Sequence, residues 1–386
     1  MRWIIFLLFI VMSVSISAFT EYGCLFLSLE PSSINQAMGQ TVGVINIWHN
    51  NPLTLYANPA LVSFHEGIAY GYKHNPGNIE GFDNINYNAA IASFGYKGIG
   101  FTLPALNRRS KLGINIDYGR HPYYDELGNM VGSYRPQEDA ATFGFAMNPL
   151  EILRTPESNS LLKHFDISIG LTRLGVVSDL GYIDIIDAAN NTINKGKTTV
   201  YNIGMIAGVN YNWEDYLAME GVVGFARFNL FEEDILYPRS DKERIYTHLN
   251  EGYGYSVSIP SNRLTSFLIE YDSIFEYLVY FSHIISYRFL SSTITFPDFD
   301  SHVNGKGSEF GIFDTIFIRR GRYEDRDGEV VGDTSGYGIN LHYKKLISLS
   351  YNYAKFPGGP IAGSHKSEDI GFSVDILRAV DLITNR

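Results

Sequence analysis

Residues 112–119 read LGINIDYG. In an extended chain Leu112, Ile114, Ile116 and Tyr118 share one face, and Gly113, Asn115, Asp117 and Gly119 share the other. Bulky apolar residues on one side and small or polar ones on the other suit a wall with lipid outside and water or protein inside. The pattern recurs along the chain. Ile68, Tyr70 and Tyr72 oppose Gly67, Ala69, Gly71 and Lys73, and Phe165, Ile167, Ile169 and Leu171 oppose Asp166, Ser168, Gly170 and Thr172. Near the end, Tyr337, Ile339, Leu341 and Tyr343 oppose Gly338, Asn340, His342 and Lys344, and Ile347, Leu349, Tyr351 and Tyr353 oppose Ser348, Ser350, Asn352 and Ala354. Less regular runs, among them 84–96, 217–228, 264–271 and 277–287, bring the total to about fourteen strands of membrane-spanning length. The expected fold is all-β, a single antiparallel transmembrane β-barrel.

Composition agrees. Tyr 27, Phe 25 and Gly 37 are high counts and charged residues reach only 18%, as in strand-rich proteins with aromatic girdles. A formal net charge of -11 argues against a nucleic-acid partner, which needs a basic face. The short basic runs, Arg108-Arg109 and Arg319, Arg320 and Arg322, read as solvated strand ends. Cys24 stands alone, so neither a disulfide framework nor a thiolate zinc site is expected. Arg2, an apolar run from Trp3 to Val14, and small residues up to Ala18 read as a secretory signal peptide over 1–18. The run falls short of the roughly 20 apolar residues of a membrane helix.

Residues 19–63 lack alternation. Turn formers (Pro31, Ser32, Asn51, Pro52, Asn58, Pro59) surround short apolar clusters, which implies one compact irregular segment and leaves 64–386 for the barrel. Within it, Pro59 fixes its own backbone angle and biases Asn58 away from the helical region, while the Asn58 amide can satisfy nearby backbone groups. No catalytic residue, cofactor or metal is expected, since HExxH, GxSxG, P-loop and CxxC patterns are absent. Asp325-Arg326-Asp327-Gly328 has a calcium-loop flavour, but placing Gly328 at the loop glycine puts Tyr323 and Thr334 where acidic ligands belong. The reading is a solvated turn. Longer polar connections are expected at 121–138, 178–197, 232–250 and 296–307, on the outer side of the barrel.

Ala37-Met38-Gly39, followed by Tyr56-Ala57-Asn58-Pro59-Ala60-Leu61, resembles the start of the FadL/PorV group of outer-membrane proteins. The C-terminal stretch resembles the PorV branch through Glu309, Phe317-Ile318-Arg319-Arg320-Gly321-Arg322-Tyr323, Thr334-Ser335-Gly336-Tyr337-Gly338 and Ser350-Tyr351-Asn352-Tyr353-Ala354. The resemblance implies a fourteen-stranded barrel with an N-terminal hatch or plug over 19–63, its motif being Tyr56, Asn58, Pro59 and Ala60. A FadL-type member passes hydrophobic small molecules across the outer membrane. A PorV-type member serves type IX secretion, with secreted cargo and attachment-machinery proteins as partners. Either way the lipid bilayer is a partner. The chain departs from a barrel's usual aromatic ending, closing on Leu377 to Arg386.

Overall fold

The computed structural model describes residues 22–79, 82–104, 113–124, 127–154, 163–179, 195–213, 216–237, 242–261, 282–328, 330–343, 346–357 and 364–375. Residues 1–18, expected to be a signal peptide, the Arg108-Arg109 pair, the strand expected at 264–271 and residues 377–386 lie outside this set. The alternating runs become long strands: β2 (Gly67–Ile79), β3 (Phe82–Tyr96), β8 (Gln137–Met147), β9 (Phe165–Asp179), β10 (Lys195–Trp213), β11 (Leu217–Phe228), β14 (His248–Pro260), β15 (His283–Phe296), β16 (Ser301–Ile312), β17 (Ile316–Asp325), β18 (Val330–Tyr343), β19 (Ile347–Pro357) and β20 (Ser364–Val374). Each pairs antiparallel with its neighbours in this order. One wall position between β3 and β8 is shared by two pieces, β4 (Ile99–Pro104) and β5 (Ile114–Asp117), while β6 (His121–Tyr124) and β7 (Met130–Tyr134) pair only with each other among the described residues. Pairing of β2 with both β3 and β20 closes the ring as a barrel of 14 strands.

The outer face is the apolar one. Phe165, Ile167, Ile169 and Leu171, then Val209 and Tyr211, then Tyr337, Ile339, Leu341 and Tyr343 are all exposed large hydrophobic side chains. A contiguous apolar belt of this extent is a lipid-facing surface. Their alternate neighbours face inward, where Ser168, Asn202, Ser292, Glu309, Arg319, Asn352 and Asp369 are buried.

What buries them is the N-terminal segment. It holds four short 3-10 helices (Leu25–Ser28, Thr41–Ile45, Pro52–Ala57 and Pro59–Phe64) and one α-helical turn, α1 (Ser33–Ala37). Ser32 caps α1 by accepting from the amides of Ile34 and Asn35, as the sequence type dictates. The segment contributes to two apolar clusters with inward wall residues. Phe26, Leu27 and Leu53 pack with Ala89, Ile114, Leu174 and Val200, while Met38, Val42, Val44 and Leu61 pack with Ala146, Val222 and Leu290.

Several expectations change here. In residues 113–119 the apolar face turns inward, because this part of the wall meets Phe26 and Leu27, so Ile114 and Ile116 join the interior cluster. Asn115 on the opposite face donates to Asp139 at 2.8 Å, and Asp117 is ion-paired with Arg135. The basic run divides by parity: Arg319 is 1% exposed and faces the interior, whereas Arg320 and Arg322 point outward. Residues 232–250 are not a free polar loop. Here β12 (Asp234–Ile235) and β13 (Glu243–Ile245) form a small sheet with β1 (Tyr22–Gly23), and Ile235, Tyr237, Ile245 and Tyr246 are buried. Residues 178–179 and 195–197 also belong to wall strands, and after 296 the chain re-enters the wall at Ser301.

Candidate functional site

The Asn58 turn is seated on glycines. Asn58 is fully buried, and its side-chain oxygen caps the helix over Pro59–Phe64 by accepting from the Ala60 amide at 3.0 Å. Its Nδ2 donates to the Val44 carbonyl at 2.8 Å, which ties two turns of the segment together. Against the wall, a Cβ on Gly204 would overlap Asn58 Oδ1, and one on Gly170 would overlap the Pro59 backbone. Beside them, Ser168 Oγ donates to the Ala60 carbonyl at 2.7 Å, and the Ser63 hydroxyl donates to Ser168 Oγ at 2.7 Å. Asn58, Pro59 and Ala60 therefore act as one docking unit on β9 and β10. Tyr56 lies apart from it: its hydroxyl donates to the Leu27 carbonyl at 3.0 Å, and burial pushes its pKa up.

A second docking unit is ionic, and the sequence reading missed it. Glu309 on β16 binds Arg319 Nε at 2.6 Å and is also ion-paired with Arg288. Nε2 of His49, in the segment, lies 3.0 Å from Glu309 Oε2. Burial lowers the pKa of His49. From Arg319 the network runs to Asn352 at 2.9 Å and on to Asp369 at 2.8 Å. Asp369 accepts from Asn51 Nδ2 at 3.0 Å and from the Ser33 amide at 2.6 Å. Nearby, Lys73 Nζ donates to Gln36 Oε1 at 2.9 Å. Strand parity carried the signal: Glu309, Arg319, Asn352 and Asp369 all fall on inward positions, where an isolated charge would be costly without partners.

Glu30 sits beside this network. Its carboxylate accepts from the Ser32 amide at 2.9 Å and from Asn35 Nδ2 at 3.2 Å, yet burial raises its pKa to about 8. His65, which follows the Pro59–Phe64 helix, is bonded through Nδ1 to the Ser93 hydroxyl at 2.9 Å, and burial lowers its pKa to about 4.

Two cavities flank the segment inside the barrel. One, of about 180 Å³, opens towards the end where β11 and β14 are joined, and is lined by Leu27, Tyr56, Phe228, His248, Asn250 and Phe296 among others. The other, of about 410 Å³, lies at the opposite end and is polar, with Trp48, His49, His283, Arg288, Asp314 and His342 in its lining. At the calcium-like turn the Gly328 amide donates to Asp325 Oδ1 at 2.8 Å, an ordinary side-chain-capped turn.

No protein-family model matches this chain, and no curated protein matches it in sequence. Solved structures with a similar chain path include the Ralstonia pickettii toluene transporter TbuX, at 10% identity and TM-score 0.40, covering 90% of this chain and 99% of that one. The CymD monoaromatic hydrocarbon channel is 10% identical, with TM-score 0.41 and coverage of 89% and 97%. A Pseudomonas aeruginosa FadL homologue is 10% identical, with TM-score 0.31 and coverage of 94% and 100%.

Proposed function

We propose that this protein is an outer-membrane channel for hydrophobic small molecules, with the N-terminal segment as its hatch. The observation that carries the reading is the way the segment is seated. It occupies the lumen of a lipid-facing barrel, is held to the wall by discrete polar contacts at Ser168, Glu309 and Asp369, and leaves a partly apolar cavity of about 180 Å³ beside it. Beside the two apolar clusters, these polar contacts can be exchanged for water when the segment moves. In this reading Asn58, Pro59 and Ala60 form the pivot, and Tyr56 steadies the segment against Leu27.

The test is a reversible lock. Ser63 and Ser168 have hydroxyls 2.7 Å apart, one on the segment and one on β9. Ser33 and Ser367 stand 2.8 Å apart on the far side of the lumen. Cysteines at all four positions, in a Cys24→Ala background, should form two bridges of normal geometry. Uptake of a hydrophobic probe into proteoliposomes should stop on oxidation and return on reduction. Uptake unaffected by two confirmed bridges would eliminate the hatch role.

A further inference from the structure

We infer that the outer wall from β16 to β20 is a binding surface for a membrane lipid whose sugar headgroup carries two phosphates. This rests on the barrel being set in a lipid bilayer and not on what its lumen passes. Lys306, Arg320, Arg322, Lys355 and Lys366 all fall on outward positions of these strands and are exposed. In a chain of net charge -11 they reverse the sign over one stretch of wall.

The strand register sorts these cations into two groups. Lys306 lies directly opposite Arg322, with Arg320 two residues along on the same face. Lys355 lies directly opposite Lys366. Like charges facing each other across a sheet are destabilising unless a counter-charge answers them. Arg322 is answered by Glu324 at 2.7 Å and Asp333 at 3.5 Å. Glu368, on the same face, is bonded to Tyr351. Lys306, Arg320, Lys355 and Lys366 have no ion pair among the described residues, whereas on the far wall Asp179 holds Lys195 at 3.9 Å and Glu232 holds Arg227 at 3.2 Å.

Spacing sets the kind of anion. Ser335 of β18 stands directly between Arg320 of β17 and Lys355 of β19. Two strand spacings, about 10 Å, therefore separate the groups, so one phosphate cannot bridge them and a glycerophospholipid fills only one. Arginine forks match phosphate oxygens. Beside the first group, Ser291, Thr293, Asn304, Lys306, Arg322 and Glu324 line a recess of about 100 Å³. Its hydroxyl, amide and carboxylate groups suit the hydroxyls of a sugar.

Height agrees with a headgroup. The neighbouring outward row is Phe310, Ile318, Tyr337 and Tyr353, with Tyr337 and Tyr353 stacked at 5.1 Å. Aromatic rings of this kind mark the level where acyl chains give way to headgroups. The cations lie beyond that row, towards the ends of β17 and β19 at Asp325 and Pro357. Residues 229–247 connect strands at that same end, while 313–315 and 344–346 make the short connections at the other. Longer connections belong to the outer side, so the cations meet the outer leaflet.

The experiment is native mass spectrometry of the full chain in detergent, titrated with three lipids. They are a multi-acyl disaccharide lipid bearing two phosphates, the same lipid bearing one, and phosphatidylglycerol. The first should bind about tenfold more tightly than either of the others, because its second phosphate engages the second group of cations. Lys306→Gln/Arg320→Gln and Lys355→Gln/Lys366→Gln should each cut that preference to about twofold or less. Arg173→Gln/Lys197→Gln removes the same charge from exposed positions of β9 and β10 and should leave the preference unchanged. Equal binding of the three lipids to the parent, a preference intact in both patch variants, or the same loss in the β9–β10 variant would each overturn the inference. If the variants fail to show the gel shift of a closed barrel, the order of the three lipids on the parent decides alone. The uptake lock is read without this lipid, so the two readings fail separately.

Discussion

Neutralising Glu309 tests the ionic docking unit most directly. Glu309 and Arg319 are each 1% exposed and Arg288 is 6% exposed, so the three charges have little water to fall back on. The cluster is one carboxylate between two guanidiniums, with His49 at 3.0 Å. Glu309→Gln keeps the volume but removes the counter-charge of both arginines, leaving Arg319 only its neutral bond to Asn352. Breaking a buried pair in this way costs about 3–5 kcal/mol. Arg320→Ala, one residue along on the outward face, should cost no more than about 0.5 kcal/mol. The assay is urea unfolding in detergent or lipid vesicles, followed by tryptophan fluorescence and the gel shift of the closed barrel. The double variant Glu309→Gln/Arg319→Gln should be less damaged than the sum of the singles by about 1–3 kcal/mol, since each single strands the other partner. A Glu309→Gln protein within about 0.5 kcal/mol of the parent, or additive singles, would refute the claim that these charges depend on one another.

Asn58→Ala removes a helix cap and the bond to Val44. It should loosen the segment by about 1–2 kcal/mol, seen as faster proteolysis near residue 58 with the barrel's gel shift intact. Gly204→Ala places a methyl group against Asn58 Oδ1 and should displace the same turn by about 1–3 kcal/mol, with the spin-label mobility of position 63 as the readout. Glu30 gives a pH test. A freely solvated carboxyl loses its proton near pH 4.5, but in place Glu30 keeps it to about 8, so seating the segment becomes progressively less favourable as pH rises between those values and is weakest above them. A spin label at Leu29 should therefore be more mobile at pH 9 than at pH 5, and Glu30→Gln should remove that part of the difference. His65 runs the other way: with its pKa at about 4, it favours the seated state increasingly as pH rises from about 4 to 6.5, so His65→Asn should flatten the acid side of the profile.

The barrel was legible because lipid imposes a rule that each strand obeys separately. Ile339 and Leu341 must face outward whatever their neighbours do, so alternation alone assigns their side. The rule misleads where the interior is itself apolar. Ile114 and Ile116 satisfy the same alternation with the opposite sense, because Phe26 and Leu27 occupy the lumen beside them. No single strand shows which face is which; that depends on what the remote N-terminal segment brings. The Asn58 turn could be read locally, since Asn-Pro fixes its own geometry. The partners of Glu309 could not, because His49, Arg288 and Arg319 meet it only once the strand register is set. Residues 232–250 misled through composition: Glu232, Glu233 and Lys242 are exposed, while Ile235 and Ile245 do the packing.

The ring is uneven at its seam. β2 joins β3 through thirteen residue pairs but joins β20 through six, Ile68–Val374 to Lys73–Asp369. The first and last wall strands thus meet over the shortest stretch of long-strand pairing, and Lys73 and Asp369, which end it, are wall residues that hold Gln36, Asn51 and Ser33 of the segment. Container and contents are therefore joined at this seam as well as at Ser168 and Glu309. During assembly the final strand has more to grip when the segment is already lodged than when the lumen is empty, so a chain with a misplaced segment would have a poorer zipper to close. At this seam the closing strand therefore meets not only the edge of β2 but also the segment lodged behind it.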